Sequence, residues 1–412
     1  MDKPKSFDIP KRVVWEAWLR VKANKGSAGV DGVTVESYEA NLKDNLYRLW
    51  NRMSSGSYFP KPVRAAEIPK ATGGTRQLGI PTVEDRIAQT VLVRMLEPVL
   101  EPIFHQDSCG YRPGRSAHDA VERAQVRCWQ LPWVIDLDVE KFFDTVDHTL
   151  LLKAVKKHQT APWMGLYVKR WLVAPSVDAT GKQTPRTKGT PQGGAASPLL
   201  ANLFLHYAFD IWITENCPTV YFERYVDDVL IHCFSRRQAI YVQRKVAERL
   251  KSCGLRMHPE KTKLVFCKDH RRREDYPHVS FDFLGFTFQP RIAKSKEKGV
   301  FLGFSPAISK KAKKEIVRVC RSWRLWDHVS LSLGDLAERI NAVVRGWYQY
   351  YSRFQRSYCV YALGVVNFHL IKWLRRKYKR YSSKTRAAQA LQRIQKREPH
   401  LFYHWSVGVL WI

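Results

Sequence analysis

Two stretches of β-type sequence set carboxylates where strands end, and no other feature of the chain restricts its fold as much. Trp133–Val139 (WVIDLDV) alternates, with Asp136 and Asp138 on one face and Ile135 and Leu137 on the other. About ninety residues later, Thr219–Phe234 (TVYFERYVDDVLIHCF) predicts two strands joined at Asp227 and Asp228. That interval accommodates several helix and strand elements, so the two stretches are expected to be neighbours in the sheet of an α+β domain. Carboxylates at a hairpin tip stay accessible. Two there and a third from a neighbouring strand can hold a pair of Mg²⁺ ions, with Mn²⁺ as the alternative. Such a pair serves the attack of a 3′-hydroxyl on a nucleoside triphosphate. Asp136 shares the strand face of Asp138 and is the alternative ligand. A lone Tyr-x-Asp-Asp is an ordinary acidic turn, so its meaning rests on the company it keeps.

Charge narrows the partner. The chain carries 69 Lys and Arg against 38 Asp and Glu, a net +31, which points to a polyanion, nucleic acid before an anionic membrane surface. Residues 301–400 alone hold 22 of those cations and 5 of the acids. With 45% apolar residues the chain can bury a core, which excludes a disordered polymer. The eight Cys include no C-x-x-C pair, which excludes a zinc ribbon and fits a reducing, cytoplasmic setting. The most apolar long stretch, Ala195–Ile213, is broken by Pro198, Asn202, His206 and Asp210, so no membrane span is expected.

The charged segment Gln289–Gly299 (QPRIAKSKEKG) interrupts the periodic pattern and predicts a boundary loop. Beyond it the pattern is helical. Leu333, Leu336, Ile340, Val343, Trp347, Tyr350 and Phe354 follow steps of three and four, and Ser332 with Asp335 predicts a capping box. A second amphipathic helix over Leu363–Tyr381 would gather Lys372, Arg375, Arg376, Lys379 and Arg380 on one arc. Five cations with no acid among them predict contact with phosphate.

Motifs spread along nearly the whole chain resemble, in order, those of the reverse transcriptases encoded by group II introns. They are Lys25–Gly32 (KGSAGVDG), Ile68–Lys70 with Thr75–Pro81 (TRQLGIP), Gly110–Arg115 (GYRPGR), Thr190–Gly194 (TPQGG) continuing through Ser197–Asn202 (SPLLAN), Tyr225–Asp228 (YVDD), Phe283–Gly285 (FLG), and Ile340–Asn341 with Arg345–Tyr351 (RGWYQYY). The resemblance implies a right-hand polymerase: an N-terminal extension over 1–60, fingers and palm over 61–290, a helical thumb or maturase domain over 300–385, and a short tail over 386–412. It implies that Asp138, Asp227 and Asp228 are catalytic and hold metal. Arg64, Lys70 and Arg76 would fold over the triphosphate, and Gln192 would line the nucleotide pocket. Phe143, five residues after Asp138, would lie under the incoming sugar and exclude a 2′-hydroxyl. Leu284 and Gly285 would grip the primer, and the basic arc would hold nucleic acid.

The implied activity is RNA-directed DNA polymerisation on an RNA template, from a DNA or RNA primer with dNTPs, in a bacterial cytoplasm beside the nucleoid. The implied role is that of a maturase for group II intron RNA that also serves retrohoming. The family usually has Ala between the Tyr and the paired Asp, and a branched residue such as Val226 occurs in relatives that have lost their intron, so a domesticated role in host DNA repair is the rival. The sequence ends at Ile412 without the nuclease segment of many relatives, so the priming 3′ end is expected from another agent. A maturase with a vestigial polymerase site is a third reading, against which the intact carboxylates argue.

Overall fold

Hydrophobic alternation and turn chemistry sort this chain into the expected mixture of helix and strand. The computed structural model describes residues 6–69, 75–295 and 299–409. Two units divide it. One comprises the chain up to Ala124 with Trp133–Leu264, and the other Gln125–Pro132 with the chain from Val265. The first contains β1 (Val63–Pro69), β2 (Thr75–Ile80), β3 (Trp133–Asp138), β4 (Ser176–Val177), β5 (Gln183–Thr184), β6 (Tyr221–Tyr225) and β7 (Asp228–Cys233). The chain leaves it along β8 (Lys263–Phe266).

Two four-stranded sheets result, ordered β2-β1-β4-β5 and β6-β7-β3-β8. In the second, β7 and β3 are interior, and Val229–Cys233 is buried throughout, as a strand covered on both faces requires. β1 and β2 form an antiparallel pair that sets Arg64 opposite Ile80 and Arg76 opposite Ile68. The helix Val83–Leu100 begins where the Thr82 hydroxyl accepts from Asp85 N, at 3.1 Å. The buried Asp85 carboxylate in turn accepts from the Tyr58 hydroxyl, from the Thr82 hydroxyl at 3.0 Å and from Lys61 N at 3.3 Å.

The second unit contains β9 (Phe281–Phe283), β10 (Phe286–Ser295) and β11 (Gly299–Ile308) in the order β11-β10-β9, followed by helices. Its core gathers Ile316, Leu336, Ile340, Val344, Leu363 and Leu370 with Leu391, Phe402 and Trp405. Ser332 and Asp335 form the expected capping box at the start of the helix Leu333–Tyr351.

Three expectations need correction here. The segment Gln289–Gly299 is not simply an interrupting loop, because Gln289–Ser295 pairs with Gly299–Ser305 along β10 and β11. Val343 is exposed and Val344 fills the core, since a helical stripe drifts off a strict three-and-four count. The helix carrying the basic arc stops at Lys377. Tyr378 turns extended and packs edge-on to Trp373, and Lys379–Tyr381 forms a short 3₁₀ turn. Lys379 and Arg380 therefore leave the helical face that holds Lys372, Arg375 and Arg376. Finally, the described part of the short tail over 386–412 is folded into the unit, with Ala387, Leu391, Phe402, Trp405 and Val409 buried in the same core.

Burial raises the Asp85 carboxyl to about 6. A carboxyl raised on folding stabilises the native state below its unfolded pKa and loses that contribution as pH rises through its folded value. Stability of the first unit should therefore fall between about pH 4 and 6, by on the order of 3 kcal/mol for a two-unit shift. Asp85→Asn should flatten that slope in urea unfolding measured across the window. An unchanged slope would reject the assignment.

Candidate active site

β6 and β7 pair so that Tyr225 lies opposite Asp228, which leaves Val226 and Asp227 as a two-residue turn. β7 pairs in turn with β3, and there Asp138 lies directly opposite Asp228. Residues paired in this way project from the same face of the sheet, so the register brings the two carboxylates together, with Asp136 two positions along the same face. Burial, and then the negative charges of Asp136, Asp227 and Asp138, hold the Asp228 carboxyl well above the usual range. Lys261 Nζ lies 3.4 Å from Asp138 Oδ2. Its segment is tied to the same strand, with His258 N donating to Asp138 O at 2.8 Å and Asp138 N donating to Thr262 Oγ1 at 3.3 Å.

Among the described residues, no three Asp, Glu, His or Cys side chains already converge as a cage for a metal ion. Mg²⁺ typically takes only one or two protein carboxylates and completes its shell with water and substrate phosphate. A cluster of carboxylates whose mutual repulsion raises a pKa suits that use, since bound cations would relieve the repulsion.

The turn is backed by a polar network that leaves little freedom. Arg224, fully buried, donates from Nε to Asp210 Oδ1 at 2.7 Å and from Nη2 to Asp210 Oδ2 at 2.6 Å. Its Nη1 donates to Asn202 Oδ1 at 3.0 Å and to Val226 O at 3.2 Å. Asn202 Nδ2 donates to Gly110 O at 2.6 Å. Gly110 is necessary here, because a Cβ would lie 2.7 Å from both Val226 N and Val226 Cγ2.

A cavity of about 250 Å³ in the same unit is lined by Phe143, Gln192, Gln77, Arg186 and Lys188 among others. The loop carrying Gln192 is strapped to the segment carrying Phe143. Thr190 N donates to Phe143 O at 2.7 Å and Gly189 N to Val146 O at 2.8 Å, while Gly79 N donates to Gln192 O at 2.8 Å. Gly189 has φ +78°, and a Cβ there would lie 2.6 Å from Phe143 O.

The structure thus sets Asp138 on β3 opposite Asp228 beside the hairpin turn that carries Asp227, and brings Phe143 and Gln192 to one cavity. Arg64 is engaged elsewhere: its Nε and Nη2 donate to Ala28 O at 3.0 and 2.8 Å, and it is not among the residues lining the cavity. Arg76 stands opposite Ile68 on β2, and Lys70 lies outside the described residues. In the second unit, Leu284 and Gly285 form a two-residue turn between β9 and β10 with φ +49° and +82°, and Tyr350 Oη donates to Leu284 O at 2.8 Å. Four of the five basic residues have partners of their own. Arg376 pairs with Asp327 at 2.5 Å, Arg375 donates to Ser382 O at 2.8 Å, Lys372 lies over the rings of Trp326 and Phe368, and Arg380 over Tyr378 and Tyr381. Asp327 is an acid that a projection of one helix could not reveal.

Sequence reasoning missed Arg186 and Lys188, although they immediately precede the Thr190–Gly194 motif and could have been found there. It also missed Arg224 and Asp210, whose pairing depends on a π turn at His206–Asp210 that no periodicity announces.

Gly189→Ala should destabilise the first unit by about 1–3 kcal/mol, since it combines a positive φ with a backbone clash. Thermal or urea unfolding measures the loss, and wild-type stability would show that the loop can move away.

Comparison with known proteins completes this description. Residues 68–288 match the family described as reverse transcriptase (RNA-dependent DNA polymerase), and residues 313–392 match the group II intron, maturase-specific domain. The chain is 34% identical over 297 residues to Protein YkfC of Escherichia coli (strain K12), covering 62% of this chain and 74% of that protein. It is 31% identical over 196 residues to the group II intron-encoded protein LtrA of Lactococcus lactis subsp. cremoris, covering 47% of this chain but only 32% of LtrA. With more than half of its length matched to one family, the chain belongs to the reverse transcriptases, RNA-directed DNA polymerases, and carries a group II intron maturase domain.

Proposed function

We propose that the protein copies RNA into DNA from a 3′-hydroxyl primer by nucleotidyl transfer at Asp138, Asp227 and Asp228, and that it serves a group II intron RNA as maturase and in retrohoming. The observation that carries the reading is the register that sets Asp138 against Asp228 beside the Tyr225–Asp228 turn. Two Mg²⁺ ions, when bound, supply activation of the attacking hydroxyl and neutralise charge on the transferring phosphoryl group. The three aspartates would hold them. Phe143 walls the cavity and excludes a 2′-hydroxyl, and Gln192 lines it on its strapped loop. Arg186 and Lys188 supply further positive charge for a triphosphate, in addition to that of Arg64, Lys70 and Arg76.

In the second unit, Leu284 and Gly285 present the backbone of a tight turn to the primer, and the exposed cations of the C-terminal helices meet phosphate. The name of LtrA and the maturase-specific match support the intron role. Val226 favours a second reading, a domesticated role in host DNA repair. No helix among the described residues is long and apolar enough to cross a membrane.

Asp227→Asn and Asp228→Asn should each lower primer extension on an RNA template by about a thousandfold or more, the scale seen when catalytic groups are removed. Affinity for primer and template should stay nearly constant, because the carboxylates only repel phosphate. Extension at a comparable rate would refute the assignment. Phe143→Ala should raise ribonucleotide incorporation relative to deoxyribonucleotide by at least about tenfold in single-nucleotide extension. An unaltered ratio would return Phe143 to the core.

A further inference from the structure

We propose that Arg224 is a positioning residue for the catalytic aspartates: clamped on Asp210, it holds the Val226 carbonyl and thereby keeps a strained turn in the shape that aims Asp227 and Asp228. The inference rests on the reading of those two aspartates as catalytic.

The strain is local and visible. Val226 sits at φ +61°, in a left-handed conformation that a β-branched side chain adopts only under constraint. A two-residue hairpin turn with positive φ at its first central position ordinarily has Gly there. Val226 is also buried, so solvent does not relieve the conformation. Strained residues persist where their surroundings over-determine them.

The surroundings do so through two contacts that a third residue ties together. Arg224 Nη1 donates to the Val226 carbonyl, Gly110 packs directly against the Val226 backbone, and Asn202 bonds both Arg224 and Gly110. The strand itself is pinned beside the turn, with Arg224 N donating to Asp107 O at 2.9 Å and Cys109 N donating to Arg224 O at 2.8 Å.

The clamp has its own support. Asp210 ends the π turn His206–Asp210, and that turn's displaced carbonyls are taken up by Arg249, whose Nε donates to Ala208 O at 3.1 Å and Nη2 to Tyr207 O at 2.9 Å. A fully buried Arg–Asp pair is a poor way to stabilise a fold, because desolvation offsets the attraction and apolar side chains of like volume commonly do as well. Apolar side chains could not donate to the turn carbonyl. The buried pair therefore accounts for the turn's geometry better than for the unit's stability.

A double-mutant cycle tests this, using the full chain as wild type, Arg224→Lys, Val226→Gly and the double variant. Lys keeps the charge and loses the planar fork. Arg224→Lys should lower kcat for primer extension about 10- to 100-fold and weaken Mn²⁺ binding in calorimetric titration, with KM for dNTP changed less than about threefold. In the Val226→Gly background, where the turn carries no strain, the same substitution should cost less than about threefold. Equal losses in both backgrounds would overturn the clamp, as would a loss traceable only to a smaller folded fraction by circular dichroism.

Should Arg224→Lys fail to fold, Asn202→Ala leaves the ion pair intact but removes the Asn202 amide that ties Nη1 to Gly110, which loosens the hold on the Val226 carbonyl, and the same suppression by Val226→Gly is expected. Its absence overturns the proposal. Asp228→Asn measured alongside separates the two claims. An active Asp228→Asn protein defeats the catalytic reading, whereas an inactive one with an additive cycle defeats the clamp alone.

Discussion

Asp138 and Asp228 face one another across neighbouring strands, and this pairing of like charges dictates much of what surrounds it. Burial and three neighbouring carboxylates lift the Asp228 carboxyl, so the sheet holds a charge arrangement it would not adopt for stability alone. Lys261 offsets part of it at Asp138, on a segment bonded to the same strand. The remainder is relieved only when cations or a proton arrive. An arrangement that is unfavourable when empty is the condition for binding metal with few protein ligands, and the strands around it must be stiff enough not to relax.

Stiffness comes from different devices on the two sides of the catalytic unit. Behind the hairpin it comes from polar groups, with Arg224, Asp210 and Asn202 satisfying one another so completely that the turn carbonyl has a fixed donor. Beside the cavity it comes from backbone brought against backbone. Gly189 and Gly193 take positive φ, and a Cβ on either would lie 2.6 Å from a carbonyl oxygen, of Phe143 and of Gly79 respectively. Gly193 of the Thr190–Gly194 motif and Gly189 just before it thus serve close approach, and Gln192 and Phe143 share a cavity wall because the loop between β5 and the helix Ser197–Leu205 is held by these contacts.

The legible parts of this structure were those with a short period or a local turn rule. Alternation located β3, β6 and β7, and the helix Leu333–Tyr351 was announced by its capping box. The carboxylate hairpin was readable because strand pairing needs only the alternation and a turn. Less local features escaped. At the stop of the basic helix at Lys377, Tyr378 packs edge-on to Trp373 and Tyr381 edge-on to Tyr378, contacts that a helical projection does not contain. The engagement of Arg64 escaped for a similar reason, since the Ala28 carbonyl that accepts from it lies 36 residues away in sequence. Arg224 reads as one more cation in a basic chain until its partner Asp210, 14 residues earlier, is set against it by a π turn.

The bend at Lys377 also changes how the C-terminal charge should be understood. A straight helix would present five cations as one stripe, whose mutual repulsion would be the argument for a polyanion. The observed chain divides them into Lys372, Arg375 and Arg376 on the helix and Lys379 and Arg380 on the turn that follows. Asp327 is shared by Arg376 and Arg324, while a carbonyl at Arg375 and aromatic rings at Lys372 and Arg380 fix where those three cations point. Side chains already ordered lose less freedom when they meet a phosphate, so each contact retains more of its electrostatic gain. The surface is better described as two oriented patches around a bend than as a single stripe, and its attraction for phosphate rests on the excess of cations in this part of the chain, 22 against 5 over residues 301–400, more than on repulsion within one helix.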